Sequence, residues 1–125
     1  MKDASLLRYS RQIMLPGFDI VGQQRVAGAR VLVVGMGGLG CPAAMYLTAA
    51  GVGSLTVVDD DVVELTNLQR QIAHTERDLG QSKVESAKNT LAALNPEVNI
   101  VAINERVDAD RLRELAEQVD VVIDA

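Results

Sequence analysis

Hydrophobic and polar positions alternate along this chain in blocks that fit a regular succession of strands and helices. Short apolar runs predict strands at Arg30–Val34, Ser54–Asp59, Val98–Ile103 and Val119–Asp124. Apolar residues at helical spacing predict helices at Gly38–Ala50, Gln81–Leu94 and Ala109–Gln118. Such β-α-β alternation is typical of a parallel sheet with right-handed crossovers, in which the first strand lies beside the fourth. The pattern predicts an α/β fold: a Rossmann-like, doubly wound, mainly parallel sheet.

A glycine motif joins the first predicted strand to the next helix. Gly35, Gly37 and Gly40 fill the G-x-G-x-x-G pattern, and Gly38 removes one further side chain. In this pattern the glycines permit a tight turn and a close approach of the backbone to phosphate, while N–H groups at the helix start attract anions. Asp59 closes the following strand, where a carboxylate can accept hydrogen bonds from ribose hydroxyls. The combination predicts a nucleotide site, which either NAD or ATP would satisfy.

The two ends of the chain differ in this pattern. Residues 1–29 carry an amphipathic start, Ser5–Ile13, and a short segment near Gly22–Ala27, so we expect an N-terminal helical extension. Residues 30–125 carry the alternation and are expected to form the nucleotide-binding domain. No covering helix follows the fourth predicted strand, so we expect this domain to be truncated at its C-terminal end, as the N-terminal half of a larger sheet.

Composition narrows the range of functions. The chain has 125 residues, a formal net charge of −5 and one cysteine, Cys41. Surplus negative charge opposes general binding to nucleic acid or anionic membranes, and one cysteine cannot build a disulfide or a cysteine-based zinc site within this segment. No apolar run reaches the length of a membrane span, and Met1–Ile13 lacks the apolar core of a signal peptide. We therefore expect a cytoplasmic protein.

Polar and charged residues follow Asp59, at the end of the sheet where such folds bind ligands. Asn67 and Arg70 share a face if this stretch is helical, and Lys83 opens the following helix. A dinucleotide site does not require an arginine and a lysine here, whereas a reaction that assembles several anions needs cations to offset their repulsion. These residues favour ATP chemistry over NAD binding.

Six short motifs together resemble one family. RYSRQI, GxGGxG, VVDDD, TNLQRQ, GQSKVESA and LNP are similar to motifs of the E1-like adenylyltransferases that activate ubiquitin-like sulfur carriers, and they extend over nearly the whole chain. GFDIVGQ and ERDLGQSKVESA most resemble the molybdopterin-synthase branch, with the thiamine-pathway branch as a near competitor. The resemblance implies ATP-dependent adenylation of a small protein's C-terminal glycine carboxylate, which prepares that carboxylate for conversion to a thiocarboxylate.

The same resemblance implies roles for individual residues. Arg70 and Lys83 would stabilise charge as the carboxylate attacks the α-phosphate, and Arg11 would reach the triphosphate of the neighbouring protomer. Asp59 would hold the ribose. The remaining expected nucleotide contacts are Gly35, Gly37, Gly38, Gly40, Asp61, Thr66, Asn67, Leu68 and Gln69.

The resemblance also implies cofactors and partners. ATP and Mg²⁺ are the expected cofactors, and any zinc would be bound by cysteine pairs outside this segment. The expected partners are a second copy of the chain, in a homodimer, and a small ubiquitin-like sulfur carrier that ends in Gly-Gly. Neither nucleic acid nor a membrane is an expected partner. The segment alone is expected to be inactive. An NAD-dependent oxidoreductase and a catalytically silent binding scaffold stay open as alternatives.

Several other residues have simpler explanations than a role in chemistry. We expect Cys41 to pack in the core, and His74 to be a solvent-facing loop residue. Asp60 and Asp61 are expected to solvate a strand end, so no metal ligand is predicted. The buried face of the helix after Gln81 is expected to comprise Val84, Ala87, Leu91 and Leu94.

Overall fold

Four parallel strands form one sheet in the order β3-β2-β1-β4. A computed structural model describes all residues from 1 to 125. Its strands are β1 (Arg30–Val34), β2 (Ser54–Val58), β3 (Asn99–Ile103) and β4 (Val121–Asp124). The predicted α/β, Rossmann-like fold is confirmed, and so is the placement of β1 beside β4. The strand order reverses at β1, and ligands bind in such folds beyond the carboxyl ends of the strands at that point.

Six α-helices and two short 3₁₀ turns accompany the sheet. The helices are α1 (Asp3–Arg8), α2 (Ser10–Ile13), α3 (Asp19–Ala27), α4 (Gly40–Ala50), α5 (Lys83–Leu94) and α6 (Ala109–Ala116), and the turns are Leu65–Asn67 and Glu76–Asp78. Ser82 accepts a hydrogen bond from the Glu85 N–H at the start of α5, and Gly51, with φ of 91°, ends α4. The ends of β1 to β4 and α4 to α6 lie within two residues of the prediction.

The larger hydrophobic core lies between one face of the sheet and helices α4 and α5. Val31 and Val33 of β1 point into it, while Leu32 points to a smaller core beneath α6. Both faces of β1 are therefore covered, which explains its continuous apolar sequence. Burying each such side chain contributes about 1.5–3 kcal/mol.

One residue of the predicted buried face of α5 is in fact exposed. Val84, Ala87 and Leu91 are buried as expected, but Leu94 is 41% exposed. Leu94 is the last residue of α5, and there it lines an open groove beside Tyr46 instead of entering the core. The prediction for Leu94 was wrong because helical spacing identifies a face but not the point along it where the core ends.

The N-terminal helices are attached near the C-terminal end of α4. Tyr9 is buried, and the Asn95 amide Nδ2 donates to its hydroxyl (2.8 Å) and to the carbonyl oxygen of Thr48 (2.9 Å). Gln12 and Gln23 both donate to the carbonyl oxygen of Ala50. These bonds tie the segment before β1 to the sheet domain. The division of the chain at residue 29 stays a prediction. None of the helices has the length and apolar character needed to cross a membrane.

Candidate nucleotide-binding site

Residues Gly35–Gly40, here called the glycine loop, lead from β1 into α4. Gly35 has φ of 100°, which an L side chain rarely adopts. A Cβ atom on Gly40 would overlap the carbonyl oxygen of Gly35. The first and last glycines of the motif are therefore required by the conformation of the loop itself.

The glycine loop presents a row of free donors. The backbone N–H groups of Gly37, Gly38, Leu39 and Gly40 donate to no acceptor in the protein. They lie at the N-terminus of α4, where the helix dipole is positive. Together they can bind an anion such as a phosphate without a basic side chain in the loop.

Asp59 is fixed to the glycine loop by hydrogen bonds. Its carboxylate accepts from the Met36 N–H (2.8 Å) and from the Asp61 N–H (2.9 Å). The half-buried side chain borders an open cleft of about 200 Å³, between the ends of β1 and β2 and the residues that follow β3. Each carboxylate oxygen can accept a second hydrogen bond, so the position suits a ribose hydroxyl.

Lys83 is a buried cation beside this carboxylate cluster. It is 6% exposed and is the first residue of α5. Its Nζ lies 3.5 Å from the Asp61 carboxylate, and its backbone N–H donates to the Asp61 carbonyl oxygen. A buried ammonium group is costly unless it is paired, and here the partner carboxylate is itself largely exposed. The structure therefore brings Lys83 and Asp61 to the end of the sheet where Asp59 lies.

Arg70 covers the glycine loop from the other side. A Cβ on Gly38 would stand 3.6 Å from the Arg70 Cδ, and the guanidinium donates to the Thr66 carbonyl oxygen at 3.3 Å. Asn67 stabilises this segment, since its Oδ1 accepts from the Glu64 N–H and caps the turn. Leu68, which is half-buried, and Gln69, which is exposed, follow between Asn67 and Arg70. Arg70 thus lies against the glycine loop, while Lys83 lies beside Asp61 after β2.

Three consecutive aspartates cluster after β2. Their carboxylate oxygens all lie within 4.8 Å of one another, and oxygen donors of this kind suit Mg²⁺. Asp59 is held by backbone N–H groups and Asp61 pairs with Lys83, which leaves Asp60 exposed and without a partner. The absence of a metal ligand stays a prediction.

His74 is buried, so its prediction as a solvent-facing residue was wrong. It is 3% exposed, with Nε2 3.0 Å from the Met36 carbonyl oxygen and Nδ1 2.8 Å from the Ser86 hydroxyl. A single histidine in an irregular segment has no periodicity that could indicate burial. Cys41 packs against the same carbonyl, and burial raises the pKa of its thiol, in line with the expected packing role.

Arg11 is not brought to the site of its own chain. It is exposed on α2, and its neighbour Gln12 is bonded to Ala50, the last residue of α4. The glycine loop leads into the other end of α4, whose 11 residues span about 16 Å. Arg11 and the glycine loop therefore lie at opposite ends of α4.

Comparison with known proteins identifies the family of the chain. Residues 9–125 match the ThiF family model. The chain is 50% identical over 124 residues to the molybdopterin-synthase adenylyltransferase of Salmonella typhimurium (strain LT2), covering 99% of this chain and 50% of that protein. It is 44% identical over 124 residues to the sulfur carrier protein ThiS adenylyltransferase of Escherichia coli (strain K12), covering 99% and 49%.

A solved structure with the same fold carries a nucleotide. The tRNA N6-threonylcarbamoyladenosine dehydratase TcdA of E. coli, in complex with ATP, matches with a TM-score of 0.91 and 32% identity, covering 99% of this chain and 51% of that one. The chain belongs to the ThiF family. It spans about half the length of the curated relatives described above.

Proposed function

We propose that the whole protein uses ATP to adenylate the C-terminal carboxylate of a small sulfur-carrier protein. The observation that carries the proposal is a loop with four free N–H groups that has Arg70 against Gly38, while the buried Lys83 pairs with Asp61 beside the Asp59 carboxylate bonded to that loop. A carboxylate and a triphosphate repel each other, so a site that joins them needs fixed positive groups from several directions. The names of the two adenylyltransferase relatives support this chemistry.

In the proposed reaction each group of residues has a separate role. The free amides of the glycine loop bind phosphate oxygens, and Asp59 accepts hydrogen bonds from the ribose. A carrier carboxylate oxygen attacks the α-phosphorus, the bond to the bridging oxygen breaks, and pyrophosphate leaves with that electron pair. Arg70 and Lys83 stabilise the charge that accumulates during this exchange. Thr66, Asn67, Leu68 and Gln69 form the wall beside Arg70. The substrate carboxylate is ionised near neutral pH, so no protein base is required.

We further propose that Mg²⁺ accompanies the ATP. The phosphate oxygens of ATP would hold the ion, in keeping with the prediction that this chain supplies no metal ligand. When bound, the ion would offset part of the charge on the phosphates. The proposed assembly is a homodimer, because Arg11 lies too far from its own glycine loop to serve it.

The proposed carrier is of the molybdopterin-synthase small-subunit type and ends in Gly-Gly. The relative of that branch is more similar to this chain than the thiamine-pathway relative, which favours the first carrier over the second. Both carriers would present a glycine carboxylate, so the choice between them rests on sequence similarity and not on the geometry of the site.

Exchange of labelled pyrophosphate into ATP tests the proposal. The whole protein should catalyse exchange only with a carrier that ends in Gly-Gly, and faster with the molybdopterin-synthase small subunit than with the thiamine-pathway carrier. Deleting the last glycine of the carrier is the control and should abolish exchange. Exchange without any carrier, or NADH binding as tight as ATP binding, would contradict the proposal.

A further inference from the structure

A buried polar cluster lies directly behind the glycine loop. The His74 ring stands between the Met36 carbonyl oxygen (3.0 Å from Nε2) and the Ser86 hydroxyl (2.8 Å from Nδ1). A carbonyl oxygen can only accept a hydrogen bond, so Nε2 must carry the proton that joins it to Met36. Ser86 lies on the buried face of α5 and fixes the other side of the ring. His74 is therefore held by a helix and in turn holds a residue of the glycine loop.

A second, weaker donor reaches the same carbonyl oxygen. The Cys41 thiol lies 3.4 Å from it and is fully buried. Burial raises the pKa of this thiol, so it stays protonated at neutral pH and its S–H can donate. Both donors are buried in the core, so both hydrogen bonds hold the Met36 carbonyl oxygen toward the core.

The planarity of the peptide bond extends this constraint to Gly37. The chain has no cis peptide bonds, so the Met36 C=O and the Gly37 N–H point in opposite directions. With the carbonyl held toward the core, the N–H is directed away from it. That N–H is one of the four without a protein acceptor. If the peptide flipped, a carbonyl oxygen would take the place of this donor and would repel a phosphate.

Building on the proposed function, we propose that His74 is a positioning residue for the nucleotide, because it locks the Met36–Gly37 peptide with the Gly37 N–H toward the phosphates. The ring itself contacts no ligand. Its role is distinct from those of Arg70 and Lys83, which supply charge. Losing His74 should therefore weaken the binding of phosphate groups and leave the contacts of the nucleoside unchanged.

Two amide substitutions separate this role from simple packing. In His74→Gln the side-chain Nε2 lies close to the position of the histidine Nε2 and can still donate to Met36. In His74→Asn the amide is one bond shorter and loses that contact, while His74→Phe keeps the ring volume without any donor. Loss of one hydrogen bond that orients a donor to a charged group corresponds to about tenfold or more in affinity.

The measurement is calorimetric binding of ATP and of adenosine to the whole protein and these three variants. We expect His74→Phe and His74→Asn to bind ATP at least about tenfold more weakly, His74→Gln to stay within about threefold of wild type, and adenosine affinity to change in none of them. Equal losses for ATP and adenosine would mean that His74 only supports the fold, and unchanged ATP affinity in His74→Phe would also overturn the inference. A wild-type protein that binds adenosine and ATP equally weakly would contradict the proposed function instead.

A spectroscopic readout covers the case in which a variant fails to fold. The ¹⁵N imidazole signals of His74 are assigned in the wild type by through-bond correlation with its own side chain, so this readout needs no variant. In the wild type we expect a proton on Nε2, and a large shift of the Gly37 amide when ATP is added. A proton on Nδ1 alone, or a Gly37 amide that does not respond to ATP, would refute the positioning role.

Discussion

Lys83 and Arg70 are both positively charged, but Lys83 is buried and Arg70 is exposed. Lys83 is buried and paired, so its ammonium group is held in place before any ligand arrives. Arg70 is exposed, with its stem against Gly38 and one bond to a backbone carbonyl. A rigid cation costs no reorganisation as charge develops, whereas a mobile guanidinium can follow the phosphate oxygens and bind two of them. Neither residue can replace the other.

This difference predicts how single substitutions affect the reaction. Lys83→Ala and Arg70→Ala should each lower the adenylation rate about a hundredfold or more, with a much smaller loss of ATP affinity, because their contacts strengthen in the transition state. Lys88→Ala, which removes an exposed lysine from the same helix as Lys83, is the matched control and should leave both unchanged. Single-turnover rates and ATP dissociation constants check this. Losses confined to ATP binding would make both cations ground-state ligands.

Sequence could predict some site residues and not others for a physical reason. Gly35 and Gly40 belong to a motif in which local backbone geometry dictates the residue type. His74 and Leu94 could not be predicted correctly, because their burial depends on which part of another element covers them. The hydrogen bond from His74 to Met36 joins residues 38 positions apart and leaves no local signature.

At the scale of elements, an exposed ion pair joins the start of β1 to the residue before β4. Asp120 accepts from the Arg30 backbone N–H (2.9 Å) and from its guanidinium (3.2 Å). The side-chain hydrogen bond from Arg30, followed by the backbone one, lowers the pKa of Asp120 below its usual value. The two neighbouring strands of the sheet are thus linked at their N-terminal ends as well as by their ladder.

The lowered pKa predicts a contribution to stability that depends on pH. Because the folded-state pKa lies below the unfolded value of about 3.9, the contribution is fully present above that value and is lost as pH falls through the folded-state pKa. Asp120→Asn should therefore be less stable than wild type near neutral pH, and the difference should shrink in acid. Urea unfolding between neutral pH and strong acid measures it. Glu117→Gln, which removes an exposed carboxylate that has no ion pair, is the control for loss of one surface carboxylate, and a difference that stays constant in acid would refute the assignment.

At the scale of the whole molecule, the arrangement of the strands agrees with the general topology rules for parallel α/β sheets. Right-handed crossovers and the alternation of elements were sufficient to predict a parallel sheet with the first strand beside the fourth. The attachment of the N-terminal helices was not predictable, because it depends on Asn95 meeting Tyr9 across 86 residues of chain. That attachment decides where Arg11 lies, at the end of α4 remote from the glycine loop.

The position of Arg11 predicts that two inactive variants restore each other. In a dimer where Arg11 serves the partner's site, mixing Arg11→Ala with Lys83→Ala creates heterodimers with one site that lacks both cations and one that has both. With random exchange of an equal mixture, about a quarter of all sites should be active. If Arg11 served its own chain, every site in the mixture would lack one cation and activity would stay absent. Mixing wild type with the double variant is the matched control, since a trans-acting Arg11 makes those heterodimers inactive and a cis-acting one leaves each with an active site. The activity of each mixture is measured as pyrophosphate exchange into ATP, and the exchange of subunits is verified separately. If subunits exchange but the first mixture stays inactive, the trans assignment is refuted.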